Sequence, residues 1–157
     1  MTDSISDRLA ELGIALPEAA APVAAYVPAV EHGGMLYISG QLPFREDGSL
    51  ITGQLGTDLD VAHGKEAAGR CAAMLLAQMQ KALGSLDRVE RIVKLGVFVA
   101  SDPHFTEQPQ VANGASELME RVFGEAGRHA RAAVGVPVLP LGAAVEVDAI
   151  VAVKPAE

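Results

Sequence analysis

The amino-acid sequence predicts an α+β fold in which a mixed β-sheet carries two main helices on one of its faces. Residues 60–83 place apolar side chains at helical spacing, whereas residues 145–153 alternate apolar and acidic side chains as a strand does. The predicted order is ββ-α-β-α-ββ behind an N-terminal helix, and such interleaving is typical of helices layered on a sheet. With 157 residues, half of them hydrophobic, the chain is expected to form one domain over 21–157, preceded by a helix and linker over 1–20.

The first part of the chain predicts a short helix and then a β-hairpin. In residues 1–16, Ile5, Leu9 and Leu12 recur at helical spacing, and Ser4 or Ser6 can cap the helix. An Ala- and Pro-rich linker over 17–22 follows. Residues 26–30 and 35–39 are predicted strands around a turn at 32–34, and 43–56 is a polar loop.

The middle of the chain contains the clearest helix pattern. Residues 60–83 carry an apolar stripe that Gly84 can end, and Gln78 is its one polar exception, for which the sequence gives no reason. Residues 89–99 alternate as a strand. A loop over 103–110 and a second helix, from 111 or 113 to 123, are predicted next.

The last part of the chain predicts a second hairpin with a charged surface. Two β-rich runs flank residues 138–142, and antiparallel pairing about that turn would bring Arg131 close to Glu146 and Asp148. Small residues surround Arg131 in the sequence, which leaves room for its guanidinium to grip a small carboxylate. A purely structural cross-strand ion pair is equally consistent with the pattern. Arg128 is expected on the opposite strand face.

Two further residues near this hairpin bear on chemistry. Glu146 stands on an otherwise apolar strand and needs a partner or water, so it is a candidate for positioning a water molecule. His129 is two residues from Arg131 and is expected on the same face. It is interpreted first as a surface or interface histidine and second as a proton shuttle.

Charge and composition argue against several classes of function. The net charge of −8 and the absence of Trp are unfavourable for nucleic-acid binding. The apolar runs are too short to span a bilayer, and the acidic N-terminus is unlike a signal peptide. The single Cys71 excludes an intrachain disulfide, and the histidines are scattered. A cytoplasmic protein without a metal, a cofactor or a membrane partner is therefore expected.

Two motifs resemble the RidA/YjgF family, formerly described as endoribonuclease L-PSP. They are HARAAVGVPVLPLGAAVEVDAIVAV over 129–153 and YISGQLP over 37–43, and Tyr26 also matches. The resemblance extends over about residues 22–153 and implies a chorismate-mutase-like fold, with sheets facing inward in a homotrimer and a pocket at each subunit interface. The long N-terminal segment, NGAS at 113–116 and HARAAVG at 129–135 resemble a less-studied branch of the family.

The resemblance also implies an activity and a set of site residues. The activity is hydrolysis of enamines and imines derived from amino acids to 2-oxo acids and ammonia. Arg131 would hold the substrate carboxylate and Glu146 would position the water. Substrate contacts would come from Tyr26, Ser39, Gly40, Asn113 and the backbone of Ala133, where many family members carry Cys.

Residue-level alternatives remain for several of these positions. Tyr26 can be an ordinary half-buried aromatic, Ser39 a hydroxyl satisfied by the backbone, and Asn113 the cap of the second helix. Two other functions also remain. One is a non-catalytic homotrimer that binds a small carboxylate-bearing metabolite. The other is a ribonuclease, which the negative charge disfavours.

Overall fold

The computed structural model describes residues 4–21 and 25–156 and contains one five-stranded sheet with its helices. Residues 1–3 of the predicted N-terminal helix and residue 22 of the linker lie outside the described residues. The helices are α1 (Ile5–Glu11), α2 (Val61–Leu83) and α3 (Gln108–Phe123), and the strands are β1 (Ala29–His32), β2 (Met35–Gln41), β3 (Val89–Ala100), β4 (Ala130–Val136) and β5 (Val145–Val153).

The sheet has the strand order β1-β2-β5-β3-β4. All neighbouring strands are antiparallel except β3 and β4, which are parallel. Helices α2 and α3 pack against each other and cover one face of this sheet. The predicted α+β architecture is therefore confirmed. We call the uncovered face the open face.

Helix α2 occupies the core side of the sheet. Asp60 caps it by accepting a hydrogen bond from the His63 N–H at 2.9 Å, and Gly84 ends it with a φ of 79°, a conformation that glycine adopts at low cost. Cys71 lies in its buried stripe, and burial raises the pKa of this thiol. The structure explains the polar side chain of Gln78 within this apolar stripe. Its amide donates to Ala20 O at 2.9 Å and to Gln41 Oε1 at 3.3 Å, and these hydrogen bonds connect the linker to β2.

Strand β5 shows how the sheet divides polar from apolar residues. Its odd-numbered residues are buried under the helices, while Glu146, Asp148, Ile150 and Ala152 point to the open face. Other apolar side chains on the open face remain exposed, including Val30, Tyr37 and Val134 at 49%, 46% and 45%. An apolar sheet face left open to this extent is a typical contact surface for another protein chain.

The predicted hairpin between the last two strands is wrong. Strand β4 pairs with β3, so that Arg131 stands opposite Leu95, and β3 separates β4 from β5. The physical reason is the crossover through α3, which delivers β4 parallel to the free edge of β3. Residues 137–144, including the single turn of 3-10 helix at Pro140–Gly142, form a connection and not a tight turn.

Helix α3 begins earlier than the apolar pattern indicates. It starts at Gln108, with Pro109 in its first turn, where the missing N–H of proline costs little. Asn113 therefore lies inside the helix, and its interpretation as a cap is wrong. Gly114 allows α3 to approach α2 closely, because a Cβ at that position would collide with Lys65 O. Among the described helices, none is long and apolar enough to cross a bilayer.

Candidate functional site

Arg131 lies on the edge strand β4 and points toward α3. Its Nη1 donates to Asn113 Oδ1 at 2.8 Å and to Ser116 Oγ at 3.1 Å, and its Nη2 donates to Pro109 O at 3.3 Å. One helix therefore supplies three acceptors to one guanidinium. Because charge-assisted hydrogen bonds are directional and comparatively strong, α3 holds the plane of this group.

The hydrogen bonds of Arg131 leave part of its donor capacity available. A guanidinium has five N–H donors, and the contacts to α3 involve Nη1 twice and Nη2 once. Within the described residues, the Nε hydrogen and the second Nη2 hydrogen have no acceptor. Nε and Nη2 border one edge of the planar group, and such an edge can bind both oxygens of a carboxylate.

Ser116 and His129 extend this arrangement beyond the guanidinium. The Ser116 Oγ lies 2.8 Å from His129 Nε2, and His129 Nδ1 lies 2.6 Å from Gly127 O. Burial lowers the pKa of His129, and the neighbouring charge of Arg131 lowers it further. His129 and Arg131 thus share one serine, which agrees with the prediction that the two side chains lie on the same face. We call Arg131, Asn113, Ser116 and His129 the Arg131 cluster.

A surface cavity of about 180 Å³ opens beside this cluster. Ser116, His129 and Arg131 line it together with Glu120 and Arg128. The expectation that Arg128 lies on the opposite face from Arg131 is wrong, because Arg128 precedes the start of β4 and borders the same cavity.

Glu146 is the centre of a second group, on the open face. Its carboxylate lies against Gly40, where an added Cβ would come within 2.5 Å of Oε2. A β-bulge creates this contact: Ile38 pairs with Ala149 and Gln41 with Val147, so Ser39 and Gly40 together face one residue of β5. Burial raises the pKa of Glu146, and the charge of Asp148 raises it further.

Tyr26 and Ser39 lie near Glu146 and away from Arg131. Tyr26 is 51% exposed and, with Gly40 and Gln41, lines a small apolar cavity of about 140 Å³. The Ser39 hydroxyl donates to Val27 O at 3.1 Å, and Ser39 borders a wider hollow of about 560 Å³ on the open face. Ala133, in contrast, belongs with Arg131: it is two residues along β4 and packs against the core.

The predicted site residues therefore form two groups on opposite faces of one sheet. Leu95 pairs with both Arg131 and Ala149, whereas Phe98 pairs with both Val134 and Glu146. Arg131 and Glu146 are thus two strands apart, which is about 10 Å sideways, and three residues apart in register, which is about another 10 Å. The expectation that Arg131 lies close to Glu146 and Asp148 in one chain is wrong.

Comparisons with known proteins agree with this fold over nearly the whole chain. A family model described as "YjgF/chorismate_mutase-like, putative endoribonuclease" matches residues 6–152. The chain belongs to this family, RidA/YjgF. The family resemblance read from the two sequence motifs is thereby confirmed.

Three known proteins are similar to this chain over most of its length. Protein TCP17 of Trypanosoma cruzi is 59% identical over 148 residues, which are 94% of this chain and 92% of that protein. The crystal structure of Atu1372, a protein of unknown function from Agrobacterium tumefaciens, is 51% identical with a TM-score of 0.88 over 97% of this chain and 95% of that one. RidA from the Antarctic bacterium Psychrobacter sp. PAMC 21119 is 31% identical with a TM-score of 0.62, over 87% of this chain and 94% of that one.

Sequence reasoning missed Ser116 as a member of this RidA/YjgF site. Asn113 and Ser116 are three residues apart, so they share one face of α3, and this spacing was the available signal. The sequence pattern predicts a helix that starts at 111 or 113 and allows Asn113 to be its cap, so it does not by itself place the two side chains on one helical face. Pro109 contributes a backbone carbonyl, a contact that no side-chain pattern reveals.

Proposed function

We propose that this RidA/YjgF protein hydrolyses small imines derived from amino acids, and the enamines that tautomerise to them, to 2-oxo acids and ammonia. The observation that carries the proposal is the guanidinium of Arg131. Its Nε, which has no acceptor among the described residues, borders one edge together with Nη2, and α3 fixes its plane. This arrangement fits a carboxylate next to the reacting carbon.

The reaction requires few groups beyond this anchor. Water adds across the C=N bond, so that its oxygen bonds to carbon and one of its protons passes to nitrogen. The C–N bond of this adduct then breaks as the hydroxyl proton also moves to nitrogen, which releases ammonia and leaves the 2-oxo acid. Arg131 holds the carboxylate, and the backbone beside Ala133 orients the imine. Glu146 positions the water and takes its proton, a role supported by the raised pKa of this carboxyl, since general bases work best near the ambient pH.

The two groups of residues on opposite faces can act together only across a subunit interface. We propose a homotrimer in which the open faces turn inward and the Arg131 of one protomer meets the Glu146 of the next. The exposed apolar residues of the open face support this assembly, because a second copy of the chain would cover them.

The experiment is to measure ammonia release from freshly generated 2-iminopropionate with the wild type and with Arg131→Ala. Wild-type protein should accelerate release well above the spontaneous rate, and the variant should lose at least about a hundredfold of that acceleration. Circular dichroism and gel filtration control for folding and assembly. Equal acceleration by both proteins would overturn the proposal.

One observation favours a second function, the binding of a carboxylate metabolite without turnover. The Arg131 cluster is complete within one chain, whereas Glu146 stands on the opposite face. A carboxylate can therefore be held without Glu146. Saturable binding of pyruvate that depends on Arg131, with no acceleration of imine hydrolysis, would identify this function.

A further inference from the structure

The Arg131 cluster contains an unbroken chain of hydrogen bonds that does not end at the guanidinium. Arg131 Nη1 donates to Ser116 Oγ at 3.1 Å, the same oxygen lies 2.8 Å from His129 Nε2, and His129 Nδ1 lies 2.6 Å from Gly127 O. The deamination proposed above uses Arg131 but assigns nothing to Ser116 or His129.

The direction of each hydrogen bond follows from the two groups at the ends of this chain, a backbone carbonyl that can only accept and a guanidinium that can only donate. A backbone carbonyl can only accept, so His129 Nδ1 carries a proton and donates to Gly127 O. In the neutral ring, Nε2 is then without a proton and accepts from the Ser116 hydroxyl. The Ser116 proton therefore points to His129, and the oxygen lone pairs are left for Arg131. A neutral His129 thus fixes the hydroxyl in the orientation that holds the guanidinium.

We propose that Ser116 and His129 are positioning residues that set the orientation of the Arg131 guanidinium for a ligand carboxylate. The inference rests on the proposed function for its ligand and extends it to the regulation of that site. His129 acts through Ser116 and does not touch the substrate. The arrangement holds while His129 is neutral and weakens when it is protonated.

Protonation of His129 would disturb the cluster in two ways. Nε2 would then donate to Ser116 Oγ, so the hydroxyl proton must turn away and lose its acceptor, and one oxygen would accept from two cationic donors. The new imidazolium would also repel the guanidinium across that single atom. Burial and the charge of Arg131 keep the pKa of His129 below its usual range. The neutral form is therefore the resting form at neutral pH.

Other charged groups face this histidine from each neighbouring element. Glu120 on α3 favours the protonated form and Arg131 on β4 disfavours it. Arg128 lines the same cavity and forms long ion pairs of 4.0 Å with Glu120 and 3.9 Å with Glu125. From β3, Arg91 donates to Arg128 O at 2.7 Å. A pH profile of the wild type must therefore be compared with the profile of a variant that lacks only the imidazole of His129.

The first test is binding of pyruvate, the 2-oxo acid of the proposed reaction, to four variants. Ser116→Ala removes the acceptor and should weaken binding roughly tenfold, whereas Ser116→Thr keeps a hydroxyl and should stay within about twofold of the wild type. His129→Gln can accept from Ser116 and donate to Gly127 O, so it should bind nearly as well. His129→Phe can do neither and should resemble Ser116→Ala. Equal binding by Ser116→Ala and the wild type would overturn the proposal.

The second test is the pH dependence of the same binding. As the pH falls from about 7.5 to about 5, wild-type affinity should fall several-fold, while His129→Gln should change much less. Glu146 is present in both proteins, so its own titration cancels in the comparison. Identical pH profiles would show that His129 does not control Arg131.

A ligand-free measurement separates this inference from the proposed function. Nitrogen-15 NMR should show His129 protonated at Nδ1 and the Arg131 Nε–H signal shifted by Ser116→Ala but not by Ser116→Thr. An unchanged Arg131 signal in Ser116→Ala would overturn the positioning role. If these signals behave as expected but the wild type neither binds pyruvate nor accelerates imine hydrolysis, the positioning role stands and the proposed function fails.

Discussion

Arg131 and Glu146 lie on opposite faces of the same sheet, with β3 between their strands and a register offset between Leu95 and Phe98. Tyr26, Ser39 and Gly40 accompany Glu146, whereas Asn113 and Ala133 accompany Arg131. Each chain therefore presents two groups of candidate residues that do not meet within it. Under the proposed function they complete each other only between protomers, and this can be measured.

Mixed oligomers should recover activity from two inactive variants. Arg131→Ala retains Glu146, and Glu146→Gln retains Arg131, so an interface between one of each can contain an intact pair. If each site takes one residue from each of two protomers, unfolding and refolding a one-to-one mixture should restore about a quarter of wild-type imine hydrolysis. The control is the same mixture combined without unfolding. Mass spectrometry should show that the subunits have exchanged. If activity is then still absent, Arg131 and Glu146 do not form a site that two protomers share.

Arg131→Lys should separate charge from geometry. Lysine keeps the cation but lacks the planar edge with two parallel donors, and it cannot reach Asn113, Ser116 and Pro109 together. Pyruvate affinity should fall by roughly 10- to 100-fold, as expected for losing a charge-assisted bidentate contact. Arg128→Lys is the matched control, because Arg128 lines the same cavity without contacting Asn113 or Ser116. An unchanged affinity in Arg131→Lys would mean that the cavity attracts anions only through its net charge, and comparable losses in both variants would mean that the guanidinium of Arg131 has no special role.

The sequence predicted the layers of this fold better than the neighbours of each strand. Periodicity located α2 and β5 well because burial alternates regularly along each of them. It did not predict the neighbour of β4, because alternation shows which face of the sheet a residue occupies and not which strand lies beside it. Strand order depends on the crossover through α3, and a hairpin between β4 and β5 is equally compatible with the local pattern.

The candidate site was predictable to a similar extent. The motif around Arg131 indicated this residue as a candidate, but the hydrogen-bond partners of Arg131 on α3 are visible only in three dimensions, since 15 to 22 residues separate them from it in the chain. The contact between Gly40 and Glu146 depends on a bulge in β2, where two residues of β2 face one of β5. A strict two-residue alternation cannot predict a bulge.

Asn113→Asp should weaken ligand binding by supplying Arg131 with an internal carboxylate. The new side chain would occupy the position of Oδ1, which lies 2.8 Å from Nη1, and would neutralise the guanidinium. We expect pyruvate affinity to fall more than in Asn113→Ala, which only removes a neutral acceptor. The midpoint of thermal unfolding should be at least as high as in the wild type. An aspartate variant that binds pyruvate better than the alanine variant would contradict the role of Arg131 as the anion site.

Gly40→Ala should reduce activity by displacing Glu146. The added methyl would lie 2.5 Å from Oε2 and 2.7 Å from the carboxyl carbon, so the carboxylate must move. Gly96→Ala is the matched control because its methyl would collide in the same way with the carboxylate of Asp148. Imine hydrolysis should fall at least about tenfold in Gly40→Ala and much less in Gly96→Ala. Equal losses would mean that distortion of the sheet, and not the position of Glu146, limits the rate.

Glu146→Gln should make the fold more stable at neutral pH and leave it unchanged in acid. Burial and the charge of Asp148 raise the pKa of Glu146 above the ordinary value of 4.5. A group whose pKa is raised by folding contributes stability in its protonated form, and this contribution is lost as the pH rises through the folded-state pKa. Glutamine mimics the protonated form at every pH. The urea midpoint of the variant should therefore exceed that of the wild type at about pH 7.5, and the difference should vanish near pH 4. A wild type that is the more stable protein at neutral pH would contradict this prediction, and it would mean that the Arg131 of the next protomer in the proposed homotrimer outweighs burial and the charge of Asp148.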